Sequence, residues 1–432
     1  MSSDLRDRLK RLGVHKGVAH LKPAVQPASQ SAGLAGDAPA LPLWNLELPT
    51  PFGPAFVRRT RFPLDHRHGD RPLGLALTLP PSAFQDVPGF NARDALFLDT
   101  ETTGLSGGAG TLAFLVGAGY FEAGDGQSPD PTSFVVDQFF LPDPAGEAGM
   151  LCALDRLINQ RQTLVTFNGR GFDAPLLETR FALARIPPAL SDKAHLDLLL
   201  PSRRLWRYAL ASRSLGSIEY HILDVRRDQQ DIAGFLIPEL YREYLKTGRA
   251  DDMDRVMYHN LFDVLSMVTL APRIADALAR PSTPGERLSV AVDCERKGDM
   301  ARAEAAYRAL LQDEASGAQR SIALRRLARC MKRQKRRTDA LLMWQQLAEQ
   351  MDAGDMRIEA LIEMARHYEW HEGDLSAALT ACRRALALCD QPALRAEIAH
   401  RVARLERKLR RRAASDNSGD GGGRVTPGTP AG

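Results

Sequence analysis

The chain has 432 residues, of which 44% are apolar and 25% charged, and its formal net charge is +4. This length predicts two or three domains, and this composition is typical of a soluble protein with a sizeable core. No apolar run reaches the ~18 residues of a membrane helix, and the first residues lack the apolar stretch of a secretory signal, so we expect a cytoplasmic protein that does not bind membranes. The five cysteines form no Cys-x-x-Cys pair, which favours buried thiols over disulfides or a zinc site.

Composition divides the chain into four predicted segments. The first 44 residues include a stretch rich in Ala, Pro, Ser and Gly, and the last 20 have a similar composition, so both are expected to be flexible or disordered. Two prolines and a glycine interrupt helical patterns at 280–285, and we place a domain boundary there. The predicted segments are a flexible start at 1–44, an α/β domain at 45–280, a helical domain at 285–412 and a disordered tail at 413–432.

Short apolar runs and helical patterns alternate in the first domain. After a strand-prone lead-in at 52–60, three strands separated by Gly- and Asp-rich turns predict an antiparallel meander. The predicted elements are strands at 94–99, 111–120, 134–141 and 163–167 and helices at 145–159 and 173–184. This order is typical of a ribonuclease-H-like α/β fold, in which helices flank a mixed sheet, although order alone leaves other α/β folds open.

Two carboxylates, Asp99 and Glu101, stand at the end of the first of these strands. A charged group that loses its hydration without a partner costs several kcal/mol, so such a pair beside a core strand predicts a compensating cation. Residues two apart on a strand point to the same side of the sheet. Because oxygen ligands favour hard ions, we expect Mg²⁺ or Mn²⁺.

Two further acids follow in positions that could join this pair. Asp173 begins the helix after the strand at 163–167, and Asp263 lies in a helical segment at 257–270. Cleavage of a phosphodiester by water needs an activated water and relief for the charge on the leaving oxygen, and two divalent ions about 3.5–4 Å apart supply both. Such ions need carboxylates that converge from different elements. Asp173 taken alone is also explained as a helix N-cap.

The ordered motifs Asp-x-Glu, Asn-x4-Asp and His-x3-Asp resemble the DEDD exonuclease group of the ribonuclease-H-like superfamily. The segments that carry them are FLDTETTGL at 97–105, TFNGRGFD at 166–173 and HNLFDVLS at 259–266. With further matches at 197–206, 214–219 and 231–234, they resemble the YprB-like proteins over about residues 45–275. The resemblance implies a 3′–5′ exonuclease in which Asp99, Glu101, Asp173 and Asp263 hold two metal ions. Some members have C-terminal regions of the tetratricopeptide kind.

The residue that positions the attacking water is either His259 or Tyr258. In the DEDD group it is a tyrosine four residues before the last aspartate or a histidine five residues before it. Here the histidine is four residues before Asp263 and the tyrosine is five residues before it. Residues i and i+4 share a helix face, whereas residues i and i+5 diverge by about 140°. This spacing favours His259, four residues before Asp263, and an imidazole also titrates near neutrality and can accept a proton from water.

Several residues beside these motifs are candidates for substrate binding. Thr102, Thr103 and Gly104 follow the metal strand, where hydroxyls and backbone donors could hold the terminal nucleotide. A tight turn explains the glycine equally well. We expect Asn168 to orient the active-site loop or to contact substrate, and Tyr258 to contact substrate if His259 is the base.

The helical domain contains an internal repeat. Segments at Gly298, Arg337 and Gly373 resemble one another at spacings of about 37 residues, close to the ~34 residues of tetratricopeptide repeats. About three repeats would form a short solenoid, and a three- or four-helix bundle is the alternative. The domain carries about seven more basic than acidic residues, with dense runs at 332–337 and 409–412. Each run either attracts a phosphate backbone or is a solvated helix face.

The leading hypothesis from the sequence is a metal-dependent 3′–5′ exonuclease that acts on single-stranded ends of DNA or RNA. Its helical domain would bind nucleic acid or recruit a protein partner. Two alternatives stay open. In one, the nuclease fold is inert and the chain is a binding scaffold; in the other, the same metals serve a structure-selective endonuclease.

Overall fold

A computed structural model describes residues 43–104, 110–124, 130–188, 190–228, 231–312 and 317–419. Residues 1–42 of the predicted flexible start lie outside the described residues. Trp44, just beyond them, packs against Phe56 with ring centroids 4.9 Å apart. At the other end the last helix runs to Gly419, past the start of the predicted tail at Ala413, and residues 420–432 of that tail lie outside the described residues.

The first half of the described chain is built on a mixed sheet. Its strands are β1 (Leu46–Leu48), β2 (Ala55–Pro63), β3 (Arg67–His68), β4 (Arg71–Pro72), β5 (Ala95–Thr102), β6 (Ala113–Ala123), β7 (Pro131–Phe140), β8 (Thr163–Thr166) and β9 (Ala194–Asp197). β3 and β4 form a separate two-stranded ribbon, and the other seven form one sheet in the order β1-β2-β7-β6-β5-β8-β9.

Strand β5 lies where the sheet changes from antiparallel to parallel. It pairs antiparallel with β6 and parallel with β8, and β8 pairs parallel with β9. The predicted meander of β5, β6 and β7 is therefore confirmed. Leu96, Phe97 and Leu98 are all buried, as expected for a strand covered on both faces. Because β5, β8 and β9 run parallel, their carboxyl ends lie at one edge of the sheet, which is where open α/β sheets bind ligands.

Among the described residues, six α-helices accompany the sheet. They are α1 (Glu147–Asn159), α2 (Asp173–Leu183), α3 (Leu199–Leu205), α4 (Leu215–Ile218), α5 (Ile237–Thr247) and α6 (Met253–Ala279). The long α6 crosses β5 and β6 at close range. A Cβ at Gly117 would lie 2.4 Å from Asn260 Oδ1, and one at Gly119 would lie 2.6 Å from Val264 Cγ1. Glycine at these two positions of β6 therefore lets α6 approach the strand that carries Asp99 and Glu101.

The remaining helices form three successive pairs and one long final helix. They are α7 (Pro284–Arg296), α8 (Met300–Gln312), α9 (Gly317–Arg333), α10 (Arg337–Ala348), α11 (Asp355–His367), α12 (Leu375–Leu388) and α13 (Pro392–Gly419). The repeated sequence segments fall at the starts of α8, α10 and α12. Tyr307, Leu327 and Trp344 are among the residues of their shared core. That these pairs are tetratricopeptide-like repeats stays a prediction.

The helical region is attached to the first half through Glu286. Thr283 and Glu286 form a capping box at the start of α7. The buried Glu286 carboxylate also accepts a hydrogen bond from Trp206 Nε1 at 3.0 Å and pairs with Arg273 of α6. The break between α6 and α7 falls at the predicted boundary, although the domain limits themselves stay a prediction. Among the described helices, none combines the length and the apolarity that a membrane span requires.

Candidate active site

Asp99 is held at the centre of the sheet edge by a chain of amide groups. Asn260 of α6 donates from Nδ2 to Asp99 Oδ2 at 2.9 Å, and Gln138 of β7 donates from Nε2 to Asn260 Oδ1 at 3.0 Å. Gly117, opposite Asp99 in the register of β5 and β6, leaves the room that Asn260 occupies. These contacts fix the orientation of the Asp99 carboxylate before any ligand is bound.

Asp173 joins the site from the first residue of α2. Its Oδ1 accepts hydrogen bonds from the backbone N and the Oγ1 of Thr100, at 3.1 and 2.5 Å. The N-cap of α2 is Phe172, so the alternative explanation of Asp173 as the N-cap is wrong. Because Thr100 stands between Asp99 and Glu101 on β5, this contact ties the helix to the strand at the metal motif.

The loop before α2 is shaped by Asp197 at the end of β9. The Asp197 carboxylate accepts hydrogen bonds from the backbone N atoms of Asn168, Arg170 and Leu199, at 2.8, 3.2 and 3.0 Å. Asn168 has a left-handed φ of 71°. A Cβ at Gly169 would lie 2.5 Å from the Thr166 side chain, so the turn needs glycine there. Asp197 thus positions the loop that leads to Asp173.

Helix α6 supplies Asp263 and His259. His259 Nε2 lies 3.7 Å from Asp263 Oδ2 and 3.9 Å from Glu101 Oε1. On its other side, Nδ1 lies 2.8 Å from Asp231 Oδ1. Arg227 Nη1 also lies 3.1 Å from Nδ1. With the ring proton on Nδ1, which the Asp231 carboxylate favours, Nε2 presents its lone pair on the side of Glu101 and Asp263.

Arg227 is the cation that contacts this group of acids. Its guanidinium pairs with Asp263, with Glu219 at 2.6 Å and with Asp231 at 3.3 Å, and its side chain is only 12% exposed. Glu219 is itself buried and accepts a hydrogen bond from Ser266 Oγ at 2.6 Å. Arg227 is therefore fixed by several bonds and offsets part of the negative charge.

Burial raises the pKa values of Asp99, Glu101 and Asp173 at the sheet edge, and repulsion from neighbouring acids adds to this effect. The pKa of Asp99 is well above its usual range because of burial, then because of the charges of Asp263 and Asp173. For Glu101, burial is followed by repulsion from Asp99, Asp263 and Asp173, and its pKa is also raised. Burial raises the pKa of Asp173 to about 6 even though Thr100 bonds favour its charged form. The structure thus brings the four predicted ligand acids within electrostatic range of one another.

The donor set at this edge suits a hard divalent cation. It consists of carboxylates from β5, α2 and α6, and Arg227 offsets only part of their charge. As the side chains stand, no three or more His, Cys, Asp or Glu residues among those described are grouped closely enough to hold one ion. The chemistry of the donors fits Mg²⁺ or Mn²⁺, and binding would require some of these side chains to turn toward a common point.

The predicted substrate residues occupy different settings. Thr102 Oγ1 donates to the Gly104 carbonyl at 2.8 Å, and Thr103 Oγ1 accepts from the Leu112 backbone N at 3.0 Å, so both hydroxyls hold the turn after β5. Asn168 is exposed and lies in the loop that leads to Asp173. The Tyr258 ring packs against the Phe262 ring with centroids 4.2 Å apart and a tilt of 33°. Its hydroxyl lies 3.4 Å from the Asp228 backbone N. Tyr258 therefore contacts Phe262 and Asp228, whereas His259 lies beside Glu101 and Asp263.

Sequence reasoning assigned no role to Asn260 or Arg227. Asn260 precedes Asp263 by three residues, and that helical spacing places both on neighbouring positions of one face, so the pattern contained a usable signal. Arg227 lies in an irregular segment between α4 and α5 and meets Asp263 only through tertiary packing. The sequence contained no local signal for it.

Comparison with known proteins identifies the class of this domain. Residues 96–275 match a family model of the RNase H superfamily, and they include all four acids. This part of the chain is therefore similar to the RNase H superfamily, as the motifs predicted, and its mixed sheet with flanking helices has the ribonuclease-H-like fold.

One relative matches nearly the whole chain. It is the uncharacterized protein YprB of Bacillus subtilis, 29% identical over 423 residues, which cover 94% of this chain and 99% of that protein. Among solved structures, the family B DNA polymerase of Pyrobaculum calidifontis matches with 15% identity and a TM-score of 0.32, over 56% of this chain and 29% of the polymerase.

Proposed function

We propose that the protein is a metal-dependent 3′–5′ exonuclease that hydrolyses DNA or RNA from single-stranded ends. The observation that carries this proposal is the group of Asp99, Glu101, Asp173 and Asp263, whose charges meet at the edge of a ribonuclease-H-superfamily sheet. The direction of cleavage rests on the resemblance to the DEDD exonuclease group.

The four acids would hold two Mg²⁺ or Mn²⁺ ions. When bound, such ions make water a stronger nucleophile and neutralise charge on the leaving oxygen. The protein's part is to keep the four carboxylates in place, which Asn260 does for Asp99 and Thr100 does for Asp173.

His259 is proposed as the base. Water attacks the phosphorus, the bond from phosphorus to the 3′ oxygen breaks, and His259 Nε2 takes the proton of the attacking water. The released 3′ oxygen takes a proton from solvent. The products are a nucleoside 5′-monophosphate and a strand that ends in a 3′ hydroxyl. Asp231 is a positioning residue, because its bond to Nδ1 keeps the Nε2 lone pair on the side of the acids.

The end of the substrate strand would lie along the turn after β5. Thr102, Thr103 and Gly104 are proposed to border the terminal nucleotide, with Asn168 and Tyr258 as further contacts. The exposed side chain of Asn168 and its fixed backbone support this role. The helical region is proposed to extend the nucleic-acid contact, with recruitment of a protein partner as its other possible role.

The proposal is tested with purified protein, Mn²⁺ or Mg²⁺, and single-stranded DNA and RNA labelled at the 5′ end. A circular strand and the Asp99→Ala variant are the controls. A ladder of shortening products from the linear strand, absent with the variant, would support the exonuclease and its direction. Cleavage of the circle would replace it with an endonuclease, and absence of any metal-dependent product from folded protein would leave a binding scaffold.

A further inference from the structure

The basic run 332–337 is largely neutralised by neighbouring helices. Lys332 pairs with Glu363, Arg333 with Glu295, and Arg336 with Glu304 and Asp339. Lys335 and Arg337 differ from these three, because among the described residues no carboxylate pairs with either of them. Of these two cations, Arg337 is the one that lines a cleft.

Arg337 borders a cleft between the later helices, with a volume of about 350 Å³. Four cations line it from α9, α10, α11 and α13, together with one acid, two histidines and two tryptophans. We call it the Trp370 cleft, and its main residues are Lys332, Arg337, Glu363, Arg366, Trp370 and Arg401.

The Trp370 cleft is positively charged. Its single acid, Glu363, is shared between Lys332 and Arg366, and Arg401 reaches Glu369, which Arg404 and Lys408 also neutralise. The pKa of His371, beside the cleft, is lowered by partial dehydration and then by the charges of Arg337, His367 and Lys332. The cations thus exceed the acids that the protein itself supplies, and the cleft suits a polyanion.

Trp370 gives the cleft an aromatic surface. Its side chain is 63% exposed, whereas Trp206 and Trp344 are buried in their cores. Lys408 Nζ lies 5.0 Å and Arg404 Cζ 5.8 Å from the Trp370 ring centroid, so two further cations lie over the ring. An exposed tryptophan among cations matches the two parts of a single-stranded nucleic acid, a flat base and a charged backbone.

We propose that the Trp370 cleft binds single-stranded nucleic acid, with a base stacked on Trp370 and a phosphate on Arg337. Lys332 and Arg401, which share their acids with other cations, would bind further phosphate oxygens. The inference rests on the proposed function in that both take nucleic acid as the ligand. An acidic peptide would use the cations, but it has no base to stack on the indole. The cleft is therefore a second contact for the strand, built from residues outside the carboxylate site.

The test measures binding without hydrolysis. Full-length Asp99→Asn protein in EDTA is titrated into fluorescein-labelled oligo(dT) and oligo(U), and affinity is read from fluorescence anisotropy. In this background, Trp370→Leu is expected to weaken binding roughly tenfold or more. Arg337→Gln should weaken it several-fold and lower the slope of log affinity against log salt by about 0.7. Arg383→Gln, an equal charge change on an exposed arginine of α12, is the matched control and should bind as before.

A second readout is tryptophan fluorescence, compared between protein with an unchanged cleft and the Trp370→Phe variant. Bound oligonucleotide should quench tryptophan fluorescence, since Trp370 is exposed, and Trp370→Phe should retain most of the affinity while losing that quenching. Unchanged affinity in folded Trp370→Leu would overturn the inference, as would equally tight binding of polyglutamate of the same length, which would identify a protein site. Binding that depends on Trp370 in a protein without nuclease activity would uphold the inference and refute the proposed function.

Discussion

Both halves of the molecule bury carboxylates, but they treat the charges in opposite ways. In the helical region, burial by itself would raise the pKa of Glu286, yet bonds from Trp206 and Arg273 hold it below its usual value. Glu363 and Glu369 behave alike, because lysine and arginine side chains outweigh the effect of burial and lower their pKa values. Each of these acids stabilises the packing of helices.

At the sheet edge, several acids share too little positive charge. The pKa values of Asp99, Glu101 and Asp173 are all raised, by burial first and then by neighbouring acids where those are close. Arg227 contacts Asp263 and two acids outside this group. A buried acid is therefore not by itself a sign of function. What distinguishes the two regions is how many cations the protein supplies, and a deficit indicates a place for a cationic ligand.

The largest expected effect comes from removing one charge at the sheet edge. Asp99→Asn should lower the rate of strand cleavage by on the order of 10³, because a proposed metal ligand is lost. In metal-free protein the same change should keep or raise the unfolding temperature, since it removes a source of repulsion. Cleavage rates and thermal unfolding in EDTA measure the two effects.

Asp251→Asn is the control for this variant, because the Asp251 carboxylate is 77% exposed, whereas that of Asp99 is buried. Both its activity and its unfolding temperature should match the unsubstituted protein. A clear loss of stability in metal-free Asp99→Asn would contradict the comparison, since it would place Asp99 with the structural acids.

The opposite result is expected for Glu286. Glu286→Ala should lower the free energy of unfolding by about 3 kcal/mol, because Arg273 and Trp206 lose a buried partner. The pKa of Glu286 is depressed in the folded protein, so its contribution is present above the unfolded value of 4.5 and is lost as the pH falls through the folded value. Urea unfolding at pH 7 and pH 4 measures both effects, with the exposed Glu239→Ala as control. Equal stability of the two variants would refute this role.

A smaller effect on activity is expected at Asp231. Asp231→Asn should reduce kcat about 10- to 100-fold with little change in KM, because His259 loses the carboxylate that favours a proton on Nδ1. Imidazole ¹⁵N shifts would report the tautomer directly. The exposed Asp251→Asn again serves as control. A rise in KM with unchanged kcat would instead make Asp231 a substrate contact.

The smallest expected effect is a shift in stability with metal and pH. The pKa of Asp173 is raised to about 6 from an ordinary 3.8, so the folded state holds the proton more tightly than the unfolded chain does. In the metal-free protein, the contribution of Asp173 to the free energy of unfolding should therefore fall as the pH rises from about 4 to about 6. Mn²⁺ should raise the unfolding temperature by a few degrees at pH 7 and by less at pH 5.

Thermal scans with Mn²⁺ or EDTA measure this difference, and Asp99→Asn should reduce it. Equal shifts at the two pH values in both proteins would indicate that metal binds elsewhere.

Local patterns in the sequence determined much of this protein. The apolar run before Asp99 predicted a buried strand, the spacing of turns predicted the meander, and the order of the acidic motifs predicted a ribonuclease-H-like sheet. The helical character of the region after residue 284 was likewise readable from its periodicity. These features depend on neighbours within a few residues, so periodicity and turn chemistry contain them.

The tertiary structure alone decided how distant charges meet. It placed Arg227 among Glu219, Asp231 and Asp263, let Asn260 reach Asp99 through the space at Gly117, and paired Arg333 and Arg336 with acids of other helices. It also left Arg337 and Trp370 facing one cleft. Most of these contacts join residues between 32 and 161 positions apart. Their energies depend on burial and on the count of nearby charges, and a linear sequence specifies neither until the chain has folded.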